Sequence, residues 1–340
     1  MKVGLVGAGL QGWRRAPVLR DAADAELVVI GSAHMDAAHR LARRMGGCEV
    51  VEGWRPVVER GDLDAVIVCT PPNLHAEISI AAIRRGTHVL CEKPLARTVE
   101  EGEAMVAASR EAGVVLKCGF NHRHHPGIRQ ARRWLDAGAI GEAMFVRCRY
   151  VIGGRPGYES EWRADPLVVG GGQLMEQGIH AVDLTRWFLG EFTEVSAVIA
   201  NHFWNTEPLE DNAFALFRTA KGQVASIHSS LTQWKNLFSF EVHGRDGYIA
   251  VEGLGGSYGP ERAALGRRDF EAPFGEEIVE FRGDDRSWLH EWQEFATAVR
   301  EGSQPLGSGE DGLAALRLVY AAYEAARSAR TVAVNGRFPS

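Results

Sequence analysis

The chain has 340 residues, 45% of them hydrophobic and 24% charged, with a net charge of −6 when histidines are neutral. That length fits about two domains, each large enough to bury a core without a metal or disulfide framework. The acidic balance argues against a nucleic-acid binder and against an anionic-membrane binder, since both need an excess of positive charge. No run of apolar residues is long enough to span a bilayer, so no membrane contact is expected. The start, MKVGLVGAG, runs straight into a strand and a glycine turn without the features of a secretory leader, and a cytoplasmic location is expected. The five cysteines (Cys48, Cys69, Cys91, Cys118, Cys148) are odd in number and form no C-x-x-C pair. They read as free buried thiols, with a catalytic or zinc-binding cysteine as the alternative. Only five of the 38 basic residues are lysines, so a lysine inside a motif stands out.

Apolar strand candidates at 3–6, 27–30, 65–69, 88–91 and 115–119 alternate with amphipathic stretches at 12–21, 36–45, 54–59, 75–85 and 99–112. Strands separated by helices predict βαβ units and a parallel, doubly wound sheet. Past about residue 121 the pattern changes. A helix at 126–137 is followed by longer alternating segments at 143–151, 194–203, 212–218, 223–231, 237–244 and 247–251, with turn signals between consecutive runs. That predicts a largely antiparallel sheet, interrupted by helices near 173–189, 289–301 and 310–329. The expected class is therefore an α/β Rossmann domain at 1–121 and an α+β domain with an open-faced, mostly antiparallel sheet at 122–340.

Gly7-Ala8-Gly9-Leu10-Gln11-Gly12 follows the first strand and opens a helix. This is G-x-G-x-x-G in its strand–turn–helix context, where glycines permit a tight turn, close approach to a pyrophosphate and close helix packing. An acidic residue for the adenosine ribose is expected about 20 residues further on. Ser32 stands there instead, and Asp36 falls in the next helix. A hydroxyl does not repel a 2′-phosphate, and His34, Arg14, Arg40 or Arg43 are candidates to attract one. NADP(H) is thus favoured, with NAD(H) as the alternative. Thr70-Pro71-Pro72-Asn73-Leu74-His75 ends the 65–69 strand at the sheet's carboxyl edge, where such folds bind ligands. Glu92-Lys93-Pro94 ends the 88–91 strand and brings a lysine to the same edge.

GAGLQG, CTPPNLHAE, GTHVLCEKPLA and GGGQLMEQGIHAVDL occur in this order, and together they resemble the glucose–fructose oxidoreductase/inositol dehydrogenase/rhizopine-catabolism (GFO/IDH/MocA) family over essentially the whole chain. The resemblance implies a Rossmann domain, an open-faced C-terminal sheet, substrate bound between them, and a homodimer or homotetramer formed through that sheet. It implies a small polar sugar or polyol substrate and no metal. It assigns cofactor contacts to Gly7, Gly9, Leu10, Gln11, Gly12, Ser32, Thr70, Pro71, Asn73, His75, Glu92, Lys93 and Asn121. Lys93 then touches both cofactor and substrate hydroxyl, and Glu176 and His180 complete a catalytic trio. Glu176 departs from the commoner aspartate. Asp183 either orients His180 or supports the helix. Arg123, Trp162 and Arg163 fall where relatives face or close over the ligand.

Oxidising a secondary alcohol needs a base for the hydroxyl proton, and reduction needs an acid; a histidine such as His180 serves either direction near neutrality. Lys93 can stabilise a developing alkoxide. Glu176 and His180 at i, i+4 would share one helix face. His122, His124 and His125 invite a metal reading, but no matching cluster accompanies them. Glu159, Glu161, Asp165, Glu207 and Asp211 fall in or near loops where acid would suit an amino sugar. Two rivals remain open: a non-catalytic NAD(P)-binding regulator or sensor on the same fold, and an enzyme acting on a more apolar carbonyl compound.

Overall fold

The computed structural model describes residues 1–273 and 275–334; residues 335–340, counted above in the second domain, lie outside the described residues. The chain forms two compact units, Met1–Asn121 with Arg286–Leu316, and His122–Asp285 with the chain from Arg317 onward.

The first 121 residues run β1 (Lys2–Val6), α1 (Leu10–Asp21), β2 (Glu26–Ser32), α2 (Met35–Arg44), β3 (Glu49–Glu52), α3 (Arg55–Val58), β4 (Ala65–Val68), α4 (His75–Ile83), β5 (His88–Cys91), α5 (Val99–Ala112) and β6 (Leu116–Cys118). Among the described residues the strands make a six-stranded sheet in the order β3-β2-β1-β4-β5-β6. All its pairings are parallel. Every residue of β4 is buried, as a strand covered on both faces must be. Strand order reverses between β1 and β4, which makes their carboxyl ends the ligand edge. α5 starts on a capping box, Thr98 with Glu101, that satisfies its first free N–H groups.

The second unit continues with α6 (Pro126–Asp136), β7 (Ala143–Val151), α7 (Pro166–Val169), a π-helical turn at Leu174–Gly178, α8 (Ile179–Leu189), β8 (Phe192–Ala200), β9 (Asn212–Thr219), β10 (Val224–Ser230), β11 (Leu237–Gly244), β12 (Gly247–Glu252), β13 (Glu261–Arg267) and β14 (Glu276–Phe281). Then come α9 (Ser287–Glu301), α10 (Gly309–Ser328) and β15 (Val332–Ala333). Its sheet has nine strands among the described residues, in the order β14-β13-β12-β11-β7-β10-β9-β8-β15. Neighbours are antiparallel except β7 and β10, which run parallel. α8 packs on β7 and β10, and α6 on β12 and β13. β9 alternates strictly, with Ala213, Ala215 and Phe217 buried and Phe214 and Leu216 exposed.

α9, expected in the second domain, belongs to the first unit, where Trp292 and Phe295 join the core around Leu5, Ile30 and Ile67. Four strands escape the sequence pattern. β3 is four residues with a charged residue at each end, and β13 and β14 carry Glu and Arg with little apolar alternation. β15 is only two residues long. The expected single helix at 173–189 is a π-turn, which carries Glu176, followed by α8, which carries His180. No described helix is long and apolar enough to cross a membrane.

Candidate active site

The glycine turn after β1 is a phosphate cradle by geometry. Gly7 has φ +103°, and a Cβ there would lie 2.7 Å from the Cys69 carbonyl oxygen. A Cβ on Gly12 would lie 2.1 Å from the Gly7 oxygen, so only glycine lets α1 pack this close. At Gly9 nothing lies within 4 Å, leaving the bare backbone open to a ligand beside the N-terminus of α1. Leu10 is exposed there. Nearby on the carboxyl edge, Gln11 Oε1, Thr70 Oγ1 and Asn73 Oδ1 are buried and have no partner among the described residues. Orphan acceptors lining an open glycine backbone fit a dinucleotide, whose ribose hydroxyls and carboxamide are donors. Pro71, half-buried, forms the N-cap of the short turn that carries Asn73.

Ser32 closes β2 and is buried; its Oγ accepts the His34 N–H at 3.0 Å and turns the chain into α2. β3 pairs beside it, setting Ser32 opposite Glu52. This exposed carboxylate at the ribose edge had no sequence signal, because β3 itself had none.

Lys93 follows β5 in a half-buried turn that two residues hold from behind. His75, read from the sequence as a cofactor ligand, is buried, with Nδ1 2.8 Å from the Pro94 carbonyl and Nε2 2.8 Å from the Thr70 carbonyl. Its ring therefore ties the Lys93 turn to the Thr70 turn and does not face a ligand. Burial pushes its pKa down, against the pull of the two carbonyls. Glu92, also read as a cofactor contact, turns inward: Arg15 Nε donates to Oε1 at 2.7 Å and the Lys93 N–H to Oε2 at 3.3 Å. Arg15 donates as well to Glu291 of α9 at 2.5 Å, all three side chains being buried. Burial works to lower the Arg15 pKa, but the charges of Glu291 and Glu92 outweigh it and raise it, keeping Arg15 cationic. Burial raises the Glu291 carboxyl above its usual range. Arg15 and Glu291 were missed; nothing in their spacing distinguishes them from ordinary helix charges. Asn121, the end of this unit's first segment, donates from Nδ2 to Ser287 Oγ at 2.9 Å.

In the second unit His180 is buried near the start of α8, and His122 stacks on it with ring centroids 3.7 Å apart. Asp183 lies further along α8. It accepts Nε of Arg123 at 2.8 Å and its Nη2 at 2.5 Å, and the guanidinium also lies over Trp187. Arg123, expected at the ligand, is thus a buried brace for α8. His125 bonds Glu261 at 3.0 Å, and Glu261 also accepts the Gly127 N–H at the start of α6, where a carboxylate is favourable. Of the three clustered histidines, His122 stacks on His180 and His125 bonds Glu261; no described group of His, Cys, Asp and Glu forms a metal-ligand set.

Glu176 organises the preceding loop. Tyr158 Oη donates to one carboxylate oxygen at 2.7 Å and Arg163 Nε to the other at 2.8 Å. Arg163 also bonds Glu161 and lies 4.3 Å from the ring centroid of half-exposed Trp162. Glu161 is held in turn by Arg155, which keeps its pKa below the usual carboxylate range although burial works to raise it. Burial and the Glu176 charge push the Tyr158 phenol upward, so it remains a donor. Under the π-turn, buried Glu210 accepts the Gly172 and Leu174 N–H groups at 3.0 and 2.8 Å and the Tyr323 hydroxyl at 2.9 Å. A Cβ on Gly172 would lie 2.2 Å from the Glu210 carbonyl, which explains the glycine run ahead of the helix. Asp211, expected at a pocket wall, instead accepts the N–H groups of His202, Phe203 and Trp204.

A model for the NAD-binding Rossmann fold of an oxidoreductase family matches residues 1–120, and one for the GFO/IDH/MocA C-terminal domain matches residues 128–250. The chain belongs to the GFO/IDH/MocA family. It is 32% identical over 285 residues to levoglucosan dehydrogenase of Pseudarthrobacter phenanthrenivorans, covering 73% of each chain. It is 31% identical over 346 residues to inositol 2-dehydrogenase 4 of Saccharopolyspora erythraea, covering 97% of this chain and 94% of that one. A solved levoglucosan dehydrogenase in complex with NADH and levoglucosan superposes with a TM-score of 0.89 at 27% identity, covering 99% of this chain and all of the other (100%). The GFO/IDH/MocA chain is accordingly an NAD(P)-dependent oxidoreductase acting on CH–OH groups, within a family of sugar and cyclitol dehydrogenases and reductases. The non-catalytic sensor reading finds no support among these relatives.

Proposed function

We propose that the protein transfers a hydride between NADP(H) and a secondary alcohol or ketone carbon of a neutral sugar or cyclitol. One observation carries the reading: Lys93 leaves the carboxyl edge in a turn that His75 ties to Thr70, beside a glycine cradle and the orphan oxygens of Gln11, Thr70 and Asn73. Gly7, Gly9 and Gly12 with the start of α1 would hold the pyrophosphate, and Gln11, Thr70 and Asn73 the donors of the nucleosides. When bound, the nicotinamide supplies the hydride acceptor or donor. Lys93 hydrogen-bonds the substrate oxygen and stabilises its negative charge as the C–H bond breaks. His180 takes the hydroxyl proton in oxidation and returns it in reduction. Glu176 acts by holding Tyr158 and Arg163 in place rather than by moving a proton. Of the five loop acids, Glu161 is held by Arg155 and Asp211 by backbone N–H groups, which takes these two out of the case for an amino sugar. The test is a panel of sugars and cyclitols offered with each cofactor; no turnover of any polyol by wild type sinks the reading.

The choice of NADP(H) rests on Ser32, and Glu52 beside it favours NAD(H) as the second reading. If Ser32 selects, Ser32→Asp weakens NADPH by about 1–3 kcal/mol and leaves NADH little changed. If Glu52 selects, wild type already prefers NADH, and Glu52→Gln restores NADPH binding. Fluorescence titration of both reduced cofactors decides between them.

A further inference from the structure

The second unit has a cavity of about 680 Å³ that no step of the proposed reaction uses. Its volume lies in the range of small-ligand sites. Three rings wall it: Phe203 meets Trp204 at 5.1 Å and Trp234 at 4.8 Å between centroids, edge to face in both cases. Phe203 and Trp234 are more than half exposed, while Lys235 and Asn236 add polar groups at the rim.

This wall is built, not frayed. Trp204 donates its indole N–H to the Leu231 carbonyl at 3.0 Å, and Asp211 holds the backbone of 202–204. A Cβ on Gly154 would lie 2.6 Å from the Trp204 ring, so the indole packs on bare backbone. Trp234 has φ +55°, a conformation that bulky residues avoid and that persists only where the surroundings over-determine it. The cavity also neighbours the loop that Glu176 organises. Tyr158, which bonds Glu176, lies 6.2 Å from Trp204 between ring centroids.

We propose that this cavity is a second saccharide subsite, taking a sugar ring glycosidically linked to the one that reacts. The axial C–H face of a pyranose stacks on an exposed indole, and its rim hydroxyls meet Lys235 and Asn236. The substrate class is then a glycoside or disaccharide rather than a free monosaccharide. The inference rests on the polyol reading above.

Two measurements on the full chain separate the two ideas. The first compares kcat/KM for each monosaccharide turned over with that for its O-glucoside, in wild type and Trp234→Ala. The expected result is at least a tenfold preference for the glucoside in wild type that falls to about one in the variant. The second measures cellobiose binding by calorimetry without turnover, where Trp234→Ala and Trp204→Ala should each weaken binding about tenfold. An unchanged ratio together with unchanged cellobiose binding overturns the subsite. Loss of an oligomer in Trp234→Ala with the ratio intact also overturns it, by making the face a contact between copies of the chain. Failure of every substrate with cellobiose binding preserved sinks only the polyol reading.

Discussion

Lys93 and Glu176 carry opposite expectations although both were read from the sequence as catalytic. Lys93 has its turn tied through backbone atoms, by Glu92 on its own N–H and by His75 on the Pro94 carbonyl, and both ties survive removal of its side chain. Lys93→Ala should lower kcat at least about 10²-fold with unchanged unfolding, as loss of a transition-state donor does; near-normal turnover removes it from the mechanism. Glu176→Gln keeps an acceptor for Tyr158 but loses the charge that holds Arg163. That loss, about 1–3 kcal/mol for a charged hydrogen bond, should appear as a KM raised roughly tenfold with kcat little altered. A kcat loss equal to that of Lys93→Ala would make the carboxylate a proton carrier after all. At this scale the sequence showed which residues share a turn and misjudged several partners. Glu92, His75 and Arg123 look like ligand contacts in a motif, but each finds a partner outside its own motif: Arg15, Pro94 and Asp183. Spacing reports which residues are brought together by a local turn; it does not report which atom a polar side chain meets.

At the scale of elements, the longer helices and the buried parallel strands were legible because periodicity marks a face turned to a core, while four-residue α7 was not. β3, β13 and β14 were not, since a short or charge-bearing strand is specified by pairing with its neighbour rather than by its own pattern. The π-turn before α8 was invisible for the same reason. Its anchor is Glu210, 34 residues beyond Glu176 by number and buried beneath Gly172 and Leu174. Burial raises the Glu210 carboxyl above the usual carboxylate range, with its hydrogen bonds pulling the other way. An acid raised in the folded state contributes stability that is complete below the unfolded value and is lost as pH rises through the folded one. Glu210→Gln should therefore cost about 1–3 kcal/mol at low pH, where one of its acceptors becomes a donor facing an N–H. The penalty should shrink as pH rises from about 4 to 8, because wild type alone then carries the cost of a buried charge. Urea unfolding across that range checks the slope. A penalty that grows with pH would mean the carboxylate is ionised and favourable where it sits.

The whole molecule poses a question of coverage. One face of the nine-stranded sheet carries α6 and α8, while the other presents Val198, Phe214 and Leu216, all about half exposed or more. These are not scattered. Phe214 lies directly across from Val198 on β8 and from His228 on β10, with its ring stacked 4.1 Å from that imidazole, and Leu216 is two residues along the same face. Contiguous apolar side chains on a strictly alternating strand are the pattern of a surface meant to be covered. A homodimer or homotetramer formed through this face is the reading we favour, because a sheet surface is flat and self-complementary under a two-fold axis. Leu216→Glu puts a charge at its centre, opposite only Ser196 and Ser226, with no basic side chain directly across to neutralise it. Since Leu216 is already exposed, the change should leave the fold within about 0.5 kcal/mol of wild type. It should nonetheless convert the oligomer to a monomer at about 5 μM by light scattering, because a stable interface depends on its buried apolar centre. If wild type is itself a monomer at that concentration, or if Leu216→Glu leaves the mass unchanged, the open face has another use and the oligomer is not built on it.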